Sequence, residues 1–228
     1  MRPLAWYIPT ALLFATAALA NTEKTIFIAP SAITLPDAEP QLDALNLDTL
    51  TYSHSKLRRS LNVAFPSEEA ARGLDSWYLL RGLNEGQRYE VRICWAAIQP
   101  TEFWLNVYNI SHVFDSPYLI QSLAGFAELQ VSQPPAEDNA LKPEYSTGTI
   151  LFLHVQAAAD YFTTNKTLMQ HPEPVDVDII LDPYLANVLP VSLLSTAAYI
   201  IVLAVVAWFV SDKIASLLKT EQHKQHAD

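Results

Sequence analysis

An uncharged apolar stretch at residues 188–210 constrains the fold of this chain more than any other feature. A helix of that length reaches roughly 35 Å, which is enough to cross the ~30 Å hydrocarbon core of a bilayer. Asp182 precedes the stretch and Lys213 and Lys219 follow it, a charge bias that places the C-terminal side in the cytosol. We therefore predict a single transmembrane helix at residues 188–210 and a cytosolic tail at residues 211–228.

The N-terminus predicts a cleaved signal peptide at residues 1–20. Arg2 precedes an apolar run that is shorter than the ~20 residues a bilayer demands. Small residues then occupy the −3 and −1 positions of a signal-peptidase site. Cleavage after Ala20 would leave Asn21 as the first residue of the mature chain. Residues 21–187 would then form one lumenal domain of a secretory-pathway membrane protein.

The formal net charge of −10 argues against a nucleic-acid partner, because a phosphate backbone requires a basic face. Residues 56–59, of sequence KLRR, are the local exception. Serines and a histidine flank this basic cluster, and we expect it to be a solvated loop.

Cys94 is the only cysteine, so no intrachain disulfide can stabilise the lumenal domain in its oxidising compartment. We expect its thiol to be buried as a small hydrophobe, with pairing to a partner's cysteine as the alternative. The glycosylation sequons at Asn109 and Asn165 both lie on the lumenal side of the predicted topology. We expect N-glycans at these two positions, on side chains that face water.

Alternating apolar and polar residues, bounded by Pro, Asn, Asp and Gly, predict a mainly β domain. The predicted strands are residues 25–29, 61–65, 77–83, 88–95, 103–110, 127–131, 149–155 and 175–181. A turn around Gly86 followed by Tyr89 resembles the tyrosine corner of immunoglobulin-type sandwiches. We therefore predict an antiparallel β-sandwich, with one short helix at residues 156–168 and a Pro-rich loop at residues 133–143.

The pair Asp176 and Asp178 is the strongest candidate for chemistry, because D-x-D motifs hold a divalent metal in many glycosyltransferases. However, the pair lies on the polar face of a predicted strand close to the span, and no βα nucleotide-binding unit precedes it. The chain also lacks a Gly-x-Ser-x-Gly turn, and none of the lumenal histidines has a ligand partner at i+3 or i+4 as a zinc site would. We predict no catalytic, cofactor-binding or metal site, and hence a chain that is not an enzyme by itself.

The predicted span carries a polar stripe of four residues. Ser192, Ser195, Thr196 and Tyr199 recur at i, i+3, i+4 and i+7, which places them on one helix face. Small hydroxyl side chains let transmembrane helices approach closely and hydrogen-bond across the contact. The alternative is that Ser and Thr bond back to their own helix carbonyls and face lipid. We predict that the stripe contacts a partner helix.

Three segments resemble the fungal family of co-activator subunits of GPI-mannosyltransferase II. They are the mature start NTEKTIF at residues 21–27, the strand YEVRICW at residues 89–95, and Pro100-Thr101 after it. With the layout of one C-terminal span, the resemblance covers nearly the whole chain. It implies a non-catalytic subunit in the endoplasmic-reticulum membrane that binds a multispanning mannosyltransferase. The resemblance further implies that this partner holds the active site and adds the second mannose to the GPI precursor from dolichol-phosphate mannose.

Three other functions stay open at this point. The accessory subunit of GPI-mannosyltransferase I has the same layout. A p24-type cargo receptor also combines a lumenal sandwich with one span, but its paired cysteines, coiled coil and cytosolic dilysine motif are missing here. A metal-dependent lumenal glycosyltransferase would use Asp176 and Asp178.

Overall fold

The computed structural model describes residues 20–31, 42, 44–131 and 149–225. The strands are β1 (Ala20–Ile28), β2 (Thr49–Leu50), β3 (Lys56–Leu61), β4 (Leu74–Leu83), β5 (Arg88–Ala96), β6 (Thr101–Asn109), β7 (Thr149–Ala159), β8 (Val175–Leu185) and β9 (Leu189–Pro190). The helices are α1 (Ile110–Asp115), α2 (Pro117–Val131), α3 (Lys166–Gln170) and α4 (Leu194–Gln225), and a 3₁₀ turn at Val191–Leu193 precedes α4.

The strands form two sheets that pack against each other across one apolar core. The first sheet has the order β1-β5-β8-β3, with β9 pairing β8, and the second has the order β2-β4-β7-β6. Neighbouring strands are antiparallel except for β2, which pairs with β4 in parallel. The predicted antiparallel sandwich is therefore confirmed. We call the two sheets together with α1, α2 and α3 the β domain.

Alternation along the strands fills the space between the sheets. Tyr89, Val91, Ile93 and Trp95 of β5 are buried, whereas Arg92 and Cys94 on the opposite face are partly exposed. This pattern follows because successive side chains of a strand point to opposite faces of the sheet. The outer face of the first sheet is consequently polar.

The predicted tyrosine corner is present at the turn between β4 and β5. The Tyr89 hydroxyl accepts a hydrogen bond from the Asn84 backbone N–H at 3.0 Å and donates one to Gln87 Oε1 at 3.0 Å. Gly86 has a φ of 72°, which a glycine adopts without steric cost. The corner ties together the end of a strand in the second sheet and the start of a strand in the first.

A helical layer on the outer face of the second sheet was not predicted. A second apolar cluster joins α1 and α2 to β4 and β7; its buried members are Leu42, Leu47, Trp77, Leu79, Ile110, Val113, Leu119, Leu123 and Phe152. The predicted strand at residues 127–131 is wrong, because these residues form the last turns of α2. Leu119, Leu123 and Ala127 recur every four residues, a helical period that so short a window does not reveal. Pro117 also fits the first position of a helix.

Three further segments differ from the predictions. The helix predicted at residues 156–168 is wrong in its first part, because β7 continues to Ala159 along its pairing with β4 and β6; only α3 at Lys166–Gln170 is helical. The strand predicted at residues 61–65 lies earlier, as β3. The basic residues 56–59 belong to β3 and are not a loop.

The C-terminal apolar segment forms α4 and the turn before it. Val191–Ser216 is long and apolar enough to cross a membrane, and its most apolar window is not buried against the protein. Residues 188–190, which were predicted to begin the span, belong instead to a turn and to β9. Ala20 and Asn21, the predicted cleavage site, are the first residues of β1. The remainder of the predicted signal peptide and the loop at residues 133–143 lie outside the described residues.

Candidate functional site

Two buried carboxylates lie side by side on the outer face of the first sheet, close to where the chain enters the span. Glu90 of β5 pairs with Asp182 of β8 across the two antiparallel strands. The two residues are only 4% and 5% exposed. Like charges opposite each other repel, and a buried charge is costly unless it is paired. Both carboxylates therefore require hydrogen-bond donors.

The partners of Glu90 come from three strands of the same sheet. Its carboxylate lies 3.1 Å from Lys24 Nζ, 3.3 Å from the Tyr184 hydroxyl and 3.4 Å from Arg92 Nη1. Burial and the neighbouring negative charge of Glu90 raise the pKa of Tyr184, so its phenol stays protonated and acts as a donor. Two cations and one hydroxyl donor thus stabilise the Glu90 carboxylate.

The partners of Asp182 include the first turn of the span segment. The Ser192 hydroxyl donates to Asp182 Oδ2 at 2.5 Å, and the Ser192 backbone N–H donates to Oδ1 at 3.2 Å. Arg92 Nη1 lies 3.4 Å from Asp182 Oδ2, so one guanidinium bridges the two carboxylates. Ser192 belongs to the 3₁₀ turn before α4. A buried charge of the sheet therefore holds the turn from which the span begins.

A tight reversal between β8 and β9 fixes the same junction from its other side. Ala186 and Asn187 have φ values of 50° and 58°, the left-handed conformation that two-residue hairpin turns use. The Asn187 side chain accepts a hydrogen bond from the Arg88 N–H at 2.8 Å and donates one to the Gly86 carbonyl at 2.9 Å. The hairpin is thereby joined to the turn that carries the tyrosine corner. We call this network of Glu90, Arg92, Asp182, Asn187 and Ser192 the span anchor.

The structure divides the predicted polar stripe into two parts. Ser192 is engaged by Asp182, whereas Ser195, Thr196 and Tyr199 are exposed on the first two turns of α4. The span anchor was not predicted from the sequence. Its only sequence signal is the alternation that puts Glu90 and Arg92 on the polar face of β5, and the pairing with Asp182 depends on strand register.

Asp178 of the D-x-D pair forms ion pairs with the basic strand β3. Arg58 makes two hydrogen bonds to Asp178, at 2.8 and 3.1 Å, and Lys56 Nζ lies 3.1 Å from the same carboxylate. The hydrogen bond from Arg58, with the contribution of Lys56, lowers the pKa of Asp178 despite some burial. Asp176 is exposed on the same face. A metal ion would have to displace two cations from Asp178, so the geometry does not favour the glycosyltransferase alternative.

Both predicted glycosylation sites are exposed. Asn109 ends β6, and Asn165 precedes α3 and caps it by accepting a hydrogen bond from the Thr167 N–H at 3.0 Å. A glycan on the Asn165 nitrogen would leave this bond intact, because the cap uses the amide oxygen.

Cys94 is half-buried on the outer face of β5, where the Thr22 hydroxyl lies 3.5 Å from its sulfur, so the expected full burial is wrong.

Comparison with known proteins places the chain among accessory proteins of GPI-anchor synthesis. A GPI mannosyltransferase 2 subunit of Schizosaccharomyces pombe is 23% identical over 126 residues, which are 55% of this chain and 48% of that protein. The chain thus spans about half the length of this curated relative. No solved structure matches the chain with significant similarity.

The family assignment rests on a match that includes both the β domain and the span. Residues 12–214 match the family described as the GPI-mannosyltransferase II co-activator. A co-activator is distinct from the mannosyltransferase it serves, which confirms the prediction that the chain is not the enzyme itself. It also favours mannosyltransferase II over mannosyltransferase I and over the cargo-receptor alternative. Because the match covers most of its residues, the chain belongs to the family of GPI-mannosyltransferase II co-activators.

Proposed function

We propose that the chain is a non-catalytic accessory subunit that stabilises or activates a multispanning catalytic partner in the endoplasmic-reticulum membrane. The partner adds the second mannose during GPI-anchor biosynthesis. The observation that carries this proposal is the family match, which extends through the β domain and into α4. In this arrangement the β domain lies in the lumen and the tail at residues 211–228 lies in the cytosol, as the charge bias around the span predicts.

The first two turns of α4 supply the contact with the partner. Ser195, Thr196 and Tyr199 lie on one face of the helix and are exposed. Within hydrocarbon, exposed hydroxyl groups favour contact with protein over contact with lipid tails. The stripe therefore docks against a helix of the partner and supplies hydrogen bonds at the contact.

The span anchor gives the docked helix a defined relation to the β domain. Asp182 bonds both the hydroxyl and the backbone N–H of Ser192, only a few residues before the three exposed residues of the stripe. A link with two hydrogen bonds to one residue restricts rotation at the start of the span. Binding of the stripe to the partner then also orients the β domain over the partner's lumenal surface.

The test is co-purification of the tagged full chain from fungal microsomes in mild detergent, with mass spectrometry of the bound proteins. We expect a multispanning mannosyltransferase in near equal amount. The double substitution Ser195→Leu with Tyr199→Leu should remove most of this partner, because it eliminates two of the three exposed hydroxyl groups of the stripe. Ala204→Leu is the matched control, since it adds a leucine to an exposed position of α4 away from the stripe.

Each outcome discriminates between the proposed roles. Unchanged recovery of the partner with the double variant would refute the stripe as the contact. Recovery of coat components and assorted cargo by the wild type would instead indicate a trafficking role. Recovery of no partner at all would contradict the accessory function.

A further inference from the structure

A polar cleft lies on the outer face of the second sheet, on the opposite side of the sandwich from the span anchor. Asp75 of β4 and Gln156 of β7 pair across this face. Helix α2 packs on Trp77, the next residue on the same face of β4. Asp75 and Gln156 instead line an open cleft beside the helix. The cleft between the sheet, the N-terminal half of α2 and the loop at residues 68–73 has a volume of about 810 Å³. Small-molecule pockets in proteins span about 300–1,000 Å³.

Asp75 organises the floor of this cleft. Its Oδ1 accepts hydrogen bonds from His154 Nε2 and Gln156 Nε2, both at 3.0 Å, and its Oδ2 accepts one from the Ser122 hydroxyl at 2.5 Å. Trp77 Nε1 in turn donates to Ser122 at 3.0 Å. Partial burial alone raises the pKa of Asp75, but the hydrogen bonds together outweigh it and hold the pKa below its usual value. The cleft therefore presents a fixed, ionised carboxylate.

The arrangement is not that of a hydrolase. Nucleophilic catalysis by serine requires histidine to lie between the serine and the acid, so that the ring can take the hydroxyl proton. Here Asp75 lies between Ser122 and His154, and the Ser122 proton is directed to the carboxylate. The cluster is thus built to position groups for binding.

His154 offers a further hydrogen-bonding group in the cleft. Because a carboxylate only accepts, His154 Nε2 carries the proton in its bond to Asp75. The other ring nitrogen, Nδ1, is buried, and it has no hydrogen-bond partner among the residues that the structure describes. The residue itself is only 2% exposed and lines the cleft. A ligand hydroxyl suits such a nitrogen, because a hydroxyl can both donate and accept a hydrogen bond.

The walls of the cleft favour a neutral ligand rich in hydroxyl groups. Asn106 and Gln121 line it with amides that both donate and accept, and Tyr118 adds an aromatic ring that is 62% exposed. Glu68 and Glu69 lie at the same opening, and with Asp75 they outnumber the cation Arg72, which also lines it. The Arg72 guanidinium lies 3.4 Å from Gln156 Oε1 and over the ring of Trp104. The excess of negative charge opposes the approach of phosphate or carboxylate. Sugars match this combination, because each hydroxyl both donates and accepts and the C–H face of the ring packs on aromatic side chains.

We propose that this cleft binds neutral carbohydrate, namely an oligosaccharide of a few hexoses. That the hexose is mannose rests on the proposed function, in which the acceptor glycolipid carries mannose. The carbohydrate chemistry of the cleft does not depend on that function. The β domain then acts as a glycan-binding module beside the catalytic partner.

The test is a titration of the full chain in lipid nanodiscs with α-linked mannobiose, followed by saturation-transfer NMR. Nanodiscs are required because maltoside and glucoside detergents would compete for the cleft. We expect Tyr118→Ala to weaken binding about tenfold, a loss of ~1.4 kcal/mol, and Asp75→Asn to abolish it. Tyr52→Ala is the matched control, because Tyr52 is 67% exposed and lies outside the cleft.

The outcomes separate this proposal from the accessory function. Absence of a saccharide signal from the wild type overturns the carbohydrate site, even if the mannosyltransferase partner is retained. Equal binding by the Tyr118 and Tyr52 variants overturns the location. Preferential binding of inositol phosphate overturns the neutral chemistry and indicates an anion site. Failure of the partner to co-purify refutes the accessory function but leaves a positive saccharide titration intact.

Discussion

Replacing Asp182 with asparagine tests whether the span anchor stabilises the junction between the sheet and the span. Asp182→Asn preserves the size of the side chain but removes its charge and one acceptor oxygen. At most one of the two hydrogen bonds to Ser192 can survive, and the bridge to Arg92 is lost. We expect the variant to have a lower free energy of unfolding, because the junction loses these contacts.

The magnitude follows from the contacts that are lost. One hydrogen bond to a charged acceptor contributes about 1.5–3 kcal/mol. Arg92 loses one of its two carboxylates but keeps Glu90 and reaches solvent, which limits the additional loss to ~1 kcal/mol. The expected destabilisation is therefore about 2–4 kcal/mol, which lowers the melting temperature of a domain of this size by roughly 4–16 °C.

The assay is thermal unfolding of the full chain in detergent, followed by tryptophan fluorescence, together with limited proteolysis of the segment at residues 186–191. The control is Asp176→Asn, the same change on the same face of β8 at an exposed position. That control should change stability by less than about 0.5 kcal/mol. If the two variants had equal melting temperatures and equal cleavage rates, the span anchor would not stabilise the junction.

Three further predictions concern the β domain. Gly73→Ala should destabilise it by more than about 3 kcal/mol, because an added Cβ would lie 2.0 Å from a backbone carbonyl of β7; Gly86→Ala has a similar φ but open space and should cost only about 1–2 kcal/mol. Equal melting temperatures for the two glycine variants would contradict this prediction. Protein from microsomes should lose mass on deglycosylation, and Asn109→Gln and Asn165→Gln should each remove one glycan; an unglycosylated wild type would contradict the lumenal topology. Because the folded pKa of Asp75 is lowered, its stabilisation is present above the unfolded value near 4 and is lost as the pH falls through the folded pKa. The melting-temperature difference between wild type and Asp75→Asn should therefore shrink below about pH 4, and a difference independent of pH would contradict the assignment.

Short-range patterns predicted much of the first sheet and the core. The alternation in β5 correctly placed Tyr89, Val91 and Ile93 in the interior, because the side-chain period of a strand is a property of neighbouring residues. The turn at Gly86 and the tyrosine after it likewise predicted the corner. Both features depend on a few contiguous residues, and packing elsewhere in the chain does not change them.

Short-range patterns did not predict the helical layer. The segment at residues 127–131 alternates well enough to resemble a strand, but Leu119 and Leu123 earlier in α2 pack on β4 and β7 as residues of one continuous helix. The basic residues 56–59 similarly resemble a loop in the sequence. In the fold they form a strand, and Asp178 lies beside Arg58 and Lys56. In both cases a distant part of the chain supplies the contact that decides the conformation.

Hydropathy and alternation are local properties, so the residues alone predict a mainly β chain with one apolar segment able to span a membrane. Which charged groups meet depends instead on the tertiary fold. Glu90 lies beside Asp182, and Asp75 beside His154, because of strand pairings between residues far apart in the chain. Register is set by the packing of whole sheets, and a shift of one residue would turn every one of these side chains to the opposite face. The span anchor and the polar cleft are therefore products of the fold and not of any contiguous motif.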